Sequence, residues 1–234
     1  MGAGRNVRED VGFLELRGLE SVARQERAIA TRQQIIRAAA ECFDITGYER
    51  TTLADIVDQS GVTKGAVYFH FRSKDDLGTV VIDEQHAISM AAVAQIRTTG
   101  APALEQLVMQ AYEMGRQMID DPVVRAGIRL TLELSASDGP PKPYLDWISG
   151  LDRIFRDAAA EGDLADTMDP AHLARYFVAA FTGVQLVSNV LTQRHDLELR
   201  IAQMLEVFLP SIMAPRRRRR AESYLRARWT PPQT

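Results

Sequence analysis

The sequence predicts an all-α protein with a small three-helix head and a larger helical domain. Apolar residues recur three and four positions apart along most of the chain. No segment alternates apolar and polar residues in the way that a half-buried strand does. Helix boundaries are also marked, with Asp-Pro pairs at Asp121-Pro122 and Asp169-Pro170 and stop signals at Gly47 and Gly162.

Composition limits the classes of protein to which this chain can belong. The 234 residues are 46% hydrophobic and 25% charged, with a net charge of −3, so any nucleic-acid contact must use a local basic face. Cys42 is the single cysteine and is expected to be a buried, inert thiol, because it lies in an apolar helical stretch. One cysteine excludes an internal disulfide and a Cys-rich metal site.

Motifs of catalysis, membrane insertion and secretion are missing from the sequence. The four histidines have no partner at metal-ligand spacing, and neither a Gly-rich phosphate loop nor a nucleophile elbow occurs. We therefore expect no enzyme, metal or cofactor. No apolar run reaches the roughly 20 residues of a membrane span, and the N-terminus lacks the apolar core of a secretory signal. A cytoplasmic protein without membrane contact is expected.

The first element predicted is a helix over Arg24–Thr46, where apolar residues lie at helical spacing and Gly47 follows. Residues 1–22 have no clear periodicity and are expected to form a flexible or loosely helical extension. Val22 is an alternative start of translation, since bacterial genes can begin at a valine codon. An intact mass that includes 1–21 would contradict that start.

Two short helices around a tight turn come next, and they predict a helix-turn-helix. Leu53, Ile56 and Val57 share one helical face, and Gly61 can adopt the positive φ that closes a helix. Thr63 is a good N-cap, so the second short helix begins at Lys64. Its small first residues allow close approach to base edges, as in the recognition helix of a DNA-binding head.

The larger domain is predicted as a series of helices separated by loops. Ser73 caps a helix that bridges the two parts and extends to about Arg97. Helices from Ala171 and Leu197 carry more apolar surface than one stripe explains, which favours a dimer face in a four-helix bundle. The other predicted helices cover about 102–119, 122–135 and 144–160, and a Pro-rich loop covers 137–143. The predicted units are 1–22, a DNA-binding domain over 23–72, a ligand-binding and dimerisation domain over 73–214, and a disordered basic tail over 215–234 that contains Arg216–Arg220.

The segment from Gly61 to Phe71, followed by Ser73-Lys74, resembles the TetR family of bacterial repressors. Within that family the chain is more similar to the γ-butyrolactone receptors of Streptomyces. The residues that carry this likeness are Ala23–Ala28, Lys64–Phe71 and Trp147 after a Pro-rich loop, whereas the extension before Val22 departs from the usual start. The resemblance implies a homodimer on a palindromic operator of double-stranded DNA. It also implies release by a small hydrophobic signal such as a γ-butyrolactone, furan or butenolide, with control of antibiotic or secondary-metabolite genes.

Candidate DNA contacts lie at the starts of three helices. Thr51 and Thr52 suit a phosphate, or simply cap their helix. Lys64 can reach a base or phosphate, and Tyr68 can give its hydroxyl to phosphate, although a partly buried ring is the alternative. Arg24, Arg27 and Arg32 reach the flanking duplex or form a solvated face. The predicted DNA-binding residues are Thr51, Thr52, Thr63, Lys64, Gly65, Ala66, Tyr68, His70 and Lys74.

Candidate ligand contacts combine aromatic rings, buried polar groups and apolar walls. Trp147 can stack on a small ring and donate one hydrogen bond, and Tyr144 lies one turn earlier on the same face. Gln85 and Thr182 are polar residues among apolar neighbours, so each needs a partner in the ligand or in the backbone. Core packing is the alternative for all of these positions. The predicted ligand-binding residues are Gln85, Leu104, Leu107, Leu130, Leu134, Tyr144, Trp147, Thr182 and Val184.

Several alternatives remain open from the sequence alone. One is a TetR-type repressor that answers to an antibiotic or another hydrophobic drug. Another is a receptor homologue without its own hormone, or a module that only sequesters its ligand. The sequence specifies neither the exact ligand, nor the operator and its genes, nor a role for the arginine run.

Overall fold

The computed structural model describes residues 7–134 and 142–231, with only the backbone of residues 7–21. These residues form ten α-helices, one 3₁₀ turn and no strand beyond an isolated bridge between Leu164 and Met213. The helices are α1 (Val7–Thr46), α2 (Leu53–Ser60), α3 (Lys64–His70), α4 (Lys74–Arg97), α5 (Ala103–Asp120), α6 (Pro122–Leu134), α7 (Lys142–Ala160), α8 (Pro170–Thr192), α9 (Leu197–Ile212) and α10 (Ala221–Leu225). The all-α prediction is confirmed.

The chain forms two compact units, and the boundary between Val80 and Val81 falls within α4. In the first unit, the C-terminal half of α1 packs against α2 and α3. Its core contains apolar side chains from these three helices, their ends and the first turn of α4, namely Ile35, Ile36, Ala39, Phe43, Ile56, Val67, Phe71 and Leu77. The short helices depend on this core, because helices of seven or eight residues are marginal in isolation.

The second unit is built around α5, which packs against α6, α7, α9 and α10. Buried residues occur on nearly every turn of α5, among them Leu104, Leu107, Val108 and Met118. The helix pairs α7–α8 and α8–α9 complete the unit. Among the residues that the structure covers, no helix is both long and apolar enough to cross a bilayer.

Two predicted segments can be compared with the structure only in part. α1 begins at Val7, so the backbone is helical over most of the predicted extension 1–22, while residues 1–6 lie outside the described residues. The predicted loop over 137–143 also lies outside them, except that Lys142 and Pro143 begin α7.

The prediction of a disordered tail over 215–234 is wrong for the residues up to 231. Arg218–Arg220 form a 3₁₀ turn, α10 follows, and Ala221, Tyr224 and Ala227 are buried. The hydroxyl of Tyr224 donates to Asp163 Oδ2 over 2.8 Å. Apolar residues between the arginines therefore fix this segment on the second unit, which the charge run alone did not indicate.

Candidate nucleic-acid interface and apolar cavity

The N-terminus of α2 is occupied by its own capping groups. Thr52 accepts the backbone N–H of Asp55 over 3.2 Å, and its backbone N–H donates to the Asp55 carboxylate over 2.8 Å. The backbone N–H and the hydroxyl of Thr52 both donate to this carboxylate, and these two hydrogen bonds lower the pKa of Asp55. Thr51 is 1% exposed, and its hydroxyl donates to the carbonyl of Gly47 over 2.7 Å. The structure thus leaves Thr52 on the surface but buries Thr51, and the Asp55 carboxylate already accepts the backbone N–H of Thr52.

The recognition-type helix α3 has one face in the core and one face free. Thr63 caps it by accepting the N–H of Ala66 over 3.2 Å, and Val67 and Phe71 are buried. Lys64 and Gly65 are exposed at its start, and Ala66 is half-buried. An added Cβ at Gly65 would meet nothing closer than 4.0 Å, so the fold itself does not require glycine there.

The remaining predicted DNA contacts differ in how far their side chains are exposed and in whether other residues of the head already hold them. Tyr68 is 48% exposed, and the ammonium of Lys64 lies 5.8 Å from its ring centroid. His70 is half-buried. Lys74 is held within the head, because its Nζ donates to the carbonyl of Tyr48 over 3.0 Å and lies over that ring at 4.3 Å. Lys64 and Tyr68 are therefore the freer contacts.

Sequence reasoning missed Phe69, which lies between two predicted contacts and is 81% exposed. The signal was available, since helical spacing already assigned Val67 and Phe71 to the core. Of the α1 arginines named above, Arg24 and Arg27 are exposed. Arg32 is half-buried, with its guanidinium 5.4 Å from the ring centroid of Phe71.

The second unit contains a cleft of about 810 Å³, measured to its open mouth, between helices α4 to α8. Its walls are mostly apolar and include two phenylalanines and three methionines. The lining residues are Met90, Val93, Leu107, Gln110, Ala111, Met114, Met118, Ile128, Tyr144, Asp146, Trp147, Gly150, Leu151, Phe177, Val178, Phe181, Thr182 and Gln185. An apolar lining with a few polar groups is typical of sites for small organic ligands.

Two aromatic side chains of α7 form one wall of this cleft. The rings of Tyr144 and Trp147 meet edge to face with centroids 5.0 Å apart. Burial raises the pKa of the Tyr144 phenol, and a hydrogen bond with Thr182 opposes that shift. Beside them, the carboxylate of Asp146 lies 3.0 Å from Nε2 of His86 on α4.

Two buried N–H groups at the cleft have no hydrogen-bond partner among the described residues. They are Nε1 of Trp147 and Nε2 of Gln110 on α5. Because a buried donor without a partner costs about 1–3 kcal/mol, such groups mark places where a ligand or a water is expected. Trp147 was predicted from the sequence, whereas Gln110 was not.

The structure brings four of the nine predicted ligand residues to the cleft: Leu107, Tyr144, Trp147 and Thr182. The other five do not line it. Leu104 and Leu130 are fully buried in the core, Val184 packs against the core, and Leu134 is half-buried near the end of α6. Helical spacing identified apolar faces correctly, but it could not distinguish a face toward a void from a face toward other side chains.

Gln85 lies in a buried polar chain instead of the cleft wall. Its Nε2 donates to the hydroxyl of Ser89 over 2.9 Å, and that hydroxyl lies 3.4 Å from Oε1 of Gln117. Gln117 in turn donates to Glu113 over 2.8 Å, and Arg116 donates to the same carboxylate. The amide N–H₂ of Gln85 thus has its partner in the side chain of Ser89, and not in a ligand or in the backbone as predicted, while its Oε1 has no hydrogen-bond partner among the described residues.

Helices α8 and α9 expose a set of large apolar side chains to solvent. The set consists of Tyr176, Leu186, Val187, Val190, Leu191, Leu199 and Val207, with exposures from 41% to 78%. Single exposed apolar residues are common, but a cluster on two adjacent helices is typical of an interface.

No group of three or more His, Cys, Asp or Glu residues within 7–134 and 142–231 is arranged to hold a metal ion. Cys42 is a free, half-buried thiol, and burial raises its pKa. The described part of the chain thus offers its chemistry mainly through the free face of α3 and the cleft.

Two family models match this chain, one in each of its two units. The family described as "Bacterial regulatory proteins, tetR family" matches residues 35–78, and that described as "Tetracyclin repressor-like, C-terminal domain" matches residues 101–214. The A-factor receptor protein of Streptomyces griseus is 37% identical over 194 residues, which are 83% of this chain and 68% of that protein.

Solved structures of CprB from Streptomyces coelicolor A3(2) superpose on the chain. One has a TM-score of 0.75 at 32% identity, covering 85% of this chain and 96% of that one. A second, in complex with its biological operator sequence, has a TM-score of 0.72 at 33% identity, covering 84% and 95%.

Proposed function

This chain belongs to the TetR family of bacterial regulatory proteins, and from that premise we propose that it is a transcriptional repressor released from its operator by a γ-butyrolactone or a related neutral lactone. The observation that carries the ligand half of this proposal is the apolar cleft with two unpartnered N–H donors. The exposed face of α3 supports the other half of the proposal, which is operator binding. Such a protein acts in the cytoplasm, where bacterial DNA lies, and it needs no catalytic group.

The charge of the cleft favours a neutral ligand over a carboxylate. Among the described residues, its lining contains no lysine or arginine, and its one carboxylate belongs to Asp146. The segment 135–141, which precedes α7, also contains no cationic residue in its sequence. A buried carboxylate without a cation would lose much of its solvation without compensation. A ring ester instead offers oxygen acceptors to Trp147 and Gln110 and an apolar body to the walls.

Homodimerisation is the second part of the proposal, and the exposed apolar set on α8 and α9 supports it. Two copies joined through these helices would form the four-helix arrangement common in α-helical dimers. A dimer carries two recognition helices, which suits a two-fold symmetric operator. Sedimentation equilibrium tests this step: the protein should sediment as a dimer, and Val190→Glu, at a site 78% exposed, should sediment as a folded monomer.

Release follows from a difference in ligand affinity between two conformations of the dimer. α4 contributes Lys74 to the head and Met90 and Val93 to the cleft, so it is a continuous element between the two sites. If the ligand prefers the conformation with unsuitable head spacing, it shifts the population away from the operator-bound form. We propose this population shift as the mechanism of induction.

The test uses the purified full-length chain, fragments of its own genome and fluorescence anisotropy. The probe is a synthetic alkyl γ-butyrolactone, and its ring-opened hydroxy-carboxylate is the matched control. The lactone should release DNA and the carboxylate should not. Trp147→Phe keeps an apolar ring but removes the N–H, and it should require about five- to tenfold more lactone with unchanged operator affinity.

Other outcomes separate the alternatives. Release by many unrelated hydrophobic drugs, with no preference for the lactone, would favour a drug-responsive repressor. Failure to bind any genomic fragment would contradict the repressor itself. Normal release of the Trp147→Phe variant would contradict the assignment of the cleft as the lactone site.

A further inference from the structure

Phe69 has the largest exposed fraction, 81%, of the bulky apolar side chains that the structure describes. Its one aromatic neighbour is His70, whose ring meets it edge to face with centroids 5.0 Å apart. A single exposed phenylalanine is not unusual in itself. Its position is informative, because it lies on the short helix whose free surface is proposed to contact DNA.

Helical geometry places Phe69 on the side of α3 that faces away from the core. At about 100° per residue, Phe69 is about 200° from Val67, which is 0% exposed. Gly65, one turn earlier, is about 160° from Val67 and shares this outward side. Because Gly65 has no side chain and has open space around it, no side chain stands beside Phe69 at that position of the helix surface. Phe69 therefore projects beyond its neighbours on this side.

We propose that Phe69 determines operator specificity by packing against the 5-methyl group of a thymine in the major groove; this proposal rests on the proposed DNA-binding function. The thymine methyl is the apolar group that base edges present in the major groove, and phenylalanine is among the side chains that recognise it. A phenyl ring cannot donate a hydrogen bond to phosphate. Its contribution is therefore selective for a base, unlike that of Lys64 or the Tyr68 hydroxyl.

The experiment deletes the thymine methyl without changing any other atom of the base. The purified full-length chain first selects a duplex from a random-sequence library. The two thymines at equivalent positions of the two half-sites are then replaced by deoxyuridine, one position at a time, and binding is measured by fluorescence anisotropy. For the wild-type chain, loss of the contacted methyl group should weaken binding about fourfold in one half-site and about fifteenfold when it is lost from both half-sites.

Variants then assign that methyl effect to Phe69. Phe69→Ala and Phe69→Ser should bind the thymine and deoxyuridine duplexes equally, while Phe69→Leu should retain part of the discrimination. Ile45→Ala is the matched control, because Ile45 is 77% exposed in the same unit but lies on α1. It should keep the wild-type pattern. All four variants should keep the wild-type melting temperature, because both sites are solvent-exposed.

Three results would overturn the proposal. Deoxyuridine could leave wild-type binding unchanged at every position, while Phe69→Ala weakens binding to all duplexes equally; Phe69 would then contact the sugar-phosphate backbone. The methyl effect could persist in Phe69→Ala, which would assign it to another residue. If the chain selects no duplex at all, the proposed DNA-binding function fails together with this inference.

Discussion

Replacement of Tyr224 by phenylalanine tests whether the C-terminal segment is an integral part of the folded second unit. Tyr224 is 4% exposed, and its hydroxyl donates to Asp163, which is 1% exposed. Among the described residues, the other carboxylate oxygen of Asp163 has no hydrogen-bond partner and only a 3.4 Å ion pair with Arg217. Tyr224→Phe therefore removes the single well-formed side-chain hydrogen bond to this carboxylate among the described residues and leaves the ring in place.

The expected loss of stability follows from the charge and burial of the acceptor. A hydrogen bond to a charged group contributes about 1.5–3 kcal/mol, and here the charge would remain buried. A loss of about 2 kcal/mol lowers the melting temperature of a chain of this size by about 4–8 °C. Burial raises the pKa of Tyr224, and the hydrogen bond to Asp163 raises it further, so the phenol stays neutral and able to donate at ordinary pH.

Urea unfolding followed by tryptophan fluorescence gives the free energy directly, at one fixed protein concentration because a dimer unfolds in a concentration-dependent way. Arg226→Ala is the matched control, since its ion pair with Glu222 lies on the surface and should contribute less than about 0.5 kcal/mol. Equal unfolding midpoints for Tyr224→Phe, Arg226→Ala and the wild type would refute the reasoning. The segment would then not be packed as described.

Three further predictions concern stability. Gly127→Ala should lose about 1–2 kcal/mol in urea unfolding, because the added Cβ would overlap Cβ of Gln85 and lie 2.7 Å from its Cγ. Gly150→Ala, whose Cβ would meet no described atom within 4 Å, should gain stability, and equal effects would contradict this packing. Hydrogen bonds from Thr192, Ser188 and Arg200 lower the pKa of Asp196 to about 2, so the stability that this carboxylate contributes is present above about pH 4 and is lost as the pH falls toward 2. Asp196→Asn should therefore be less stable than the wild type at pH 5 and nearly as stable at pH 2. A difference in stability that does not change with pH would count against this assignment. Gln193 ends α8 with φ of 52°, so Gln193→Gly should raise the melting temperature by about 1–4 °C, and a lower value would show that the side chain matters more than the backbone strain.

The α3 surface was largely predictable because its pattern is local. Thr63 and Gly61 mark the turn, and Val67 and Phe71 mark the buried face, all within eleven residues of sequence. Thr51 was not predictable in the same way. Its hydroxyl meets Thr46 and Gly47, which are only five and four positions away, but a turn joins these residues and the helical periodicity gives no signal of the contact.

The cleft was predictable only in part, for a related reason. Tyr144, Trp147 and Thr182 stand out in the sequence because rings and hydroxyls among aliphatic residues are uncommon. Gln110 and Met114 give no such signal, since an unbranched side chain on a helix packs equally well against a neighbour or a void. Only the arrangement of five helices decides which α5 residues border empty space.

Most of the helices, their caps and the DNA-binding head follow from the amino-acid sequence alone, because they depend on contacts between residues a few positions apart; helix α10 does not. Tertiary structure decided that the arginine-rich end folds against Asp163, that Lys74 is held by Tyr48, and that Gln110 faces the cleft. Each of these depends on partners that lie far away in the chain. Burial and desolvation, which set the energies of such contacts, exist only once the helices have packed.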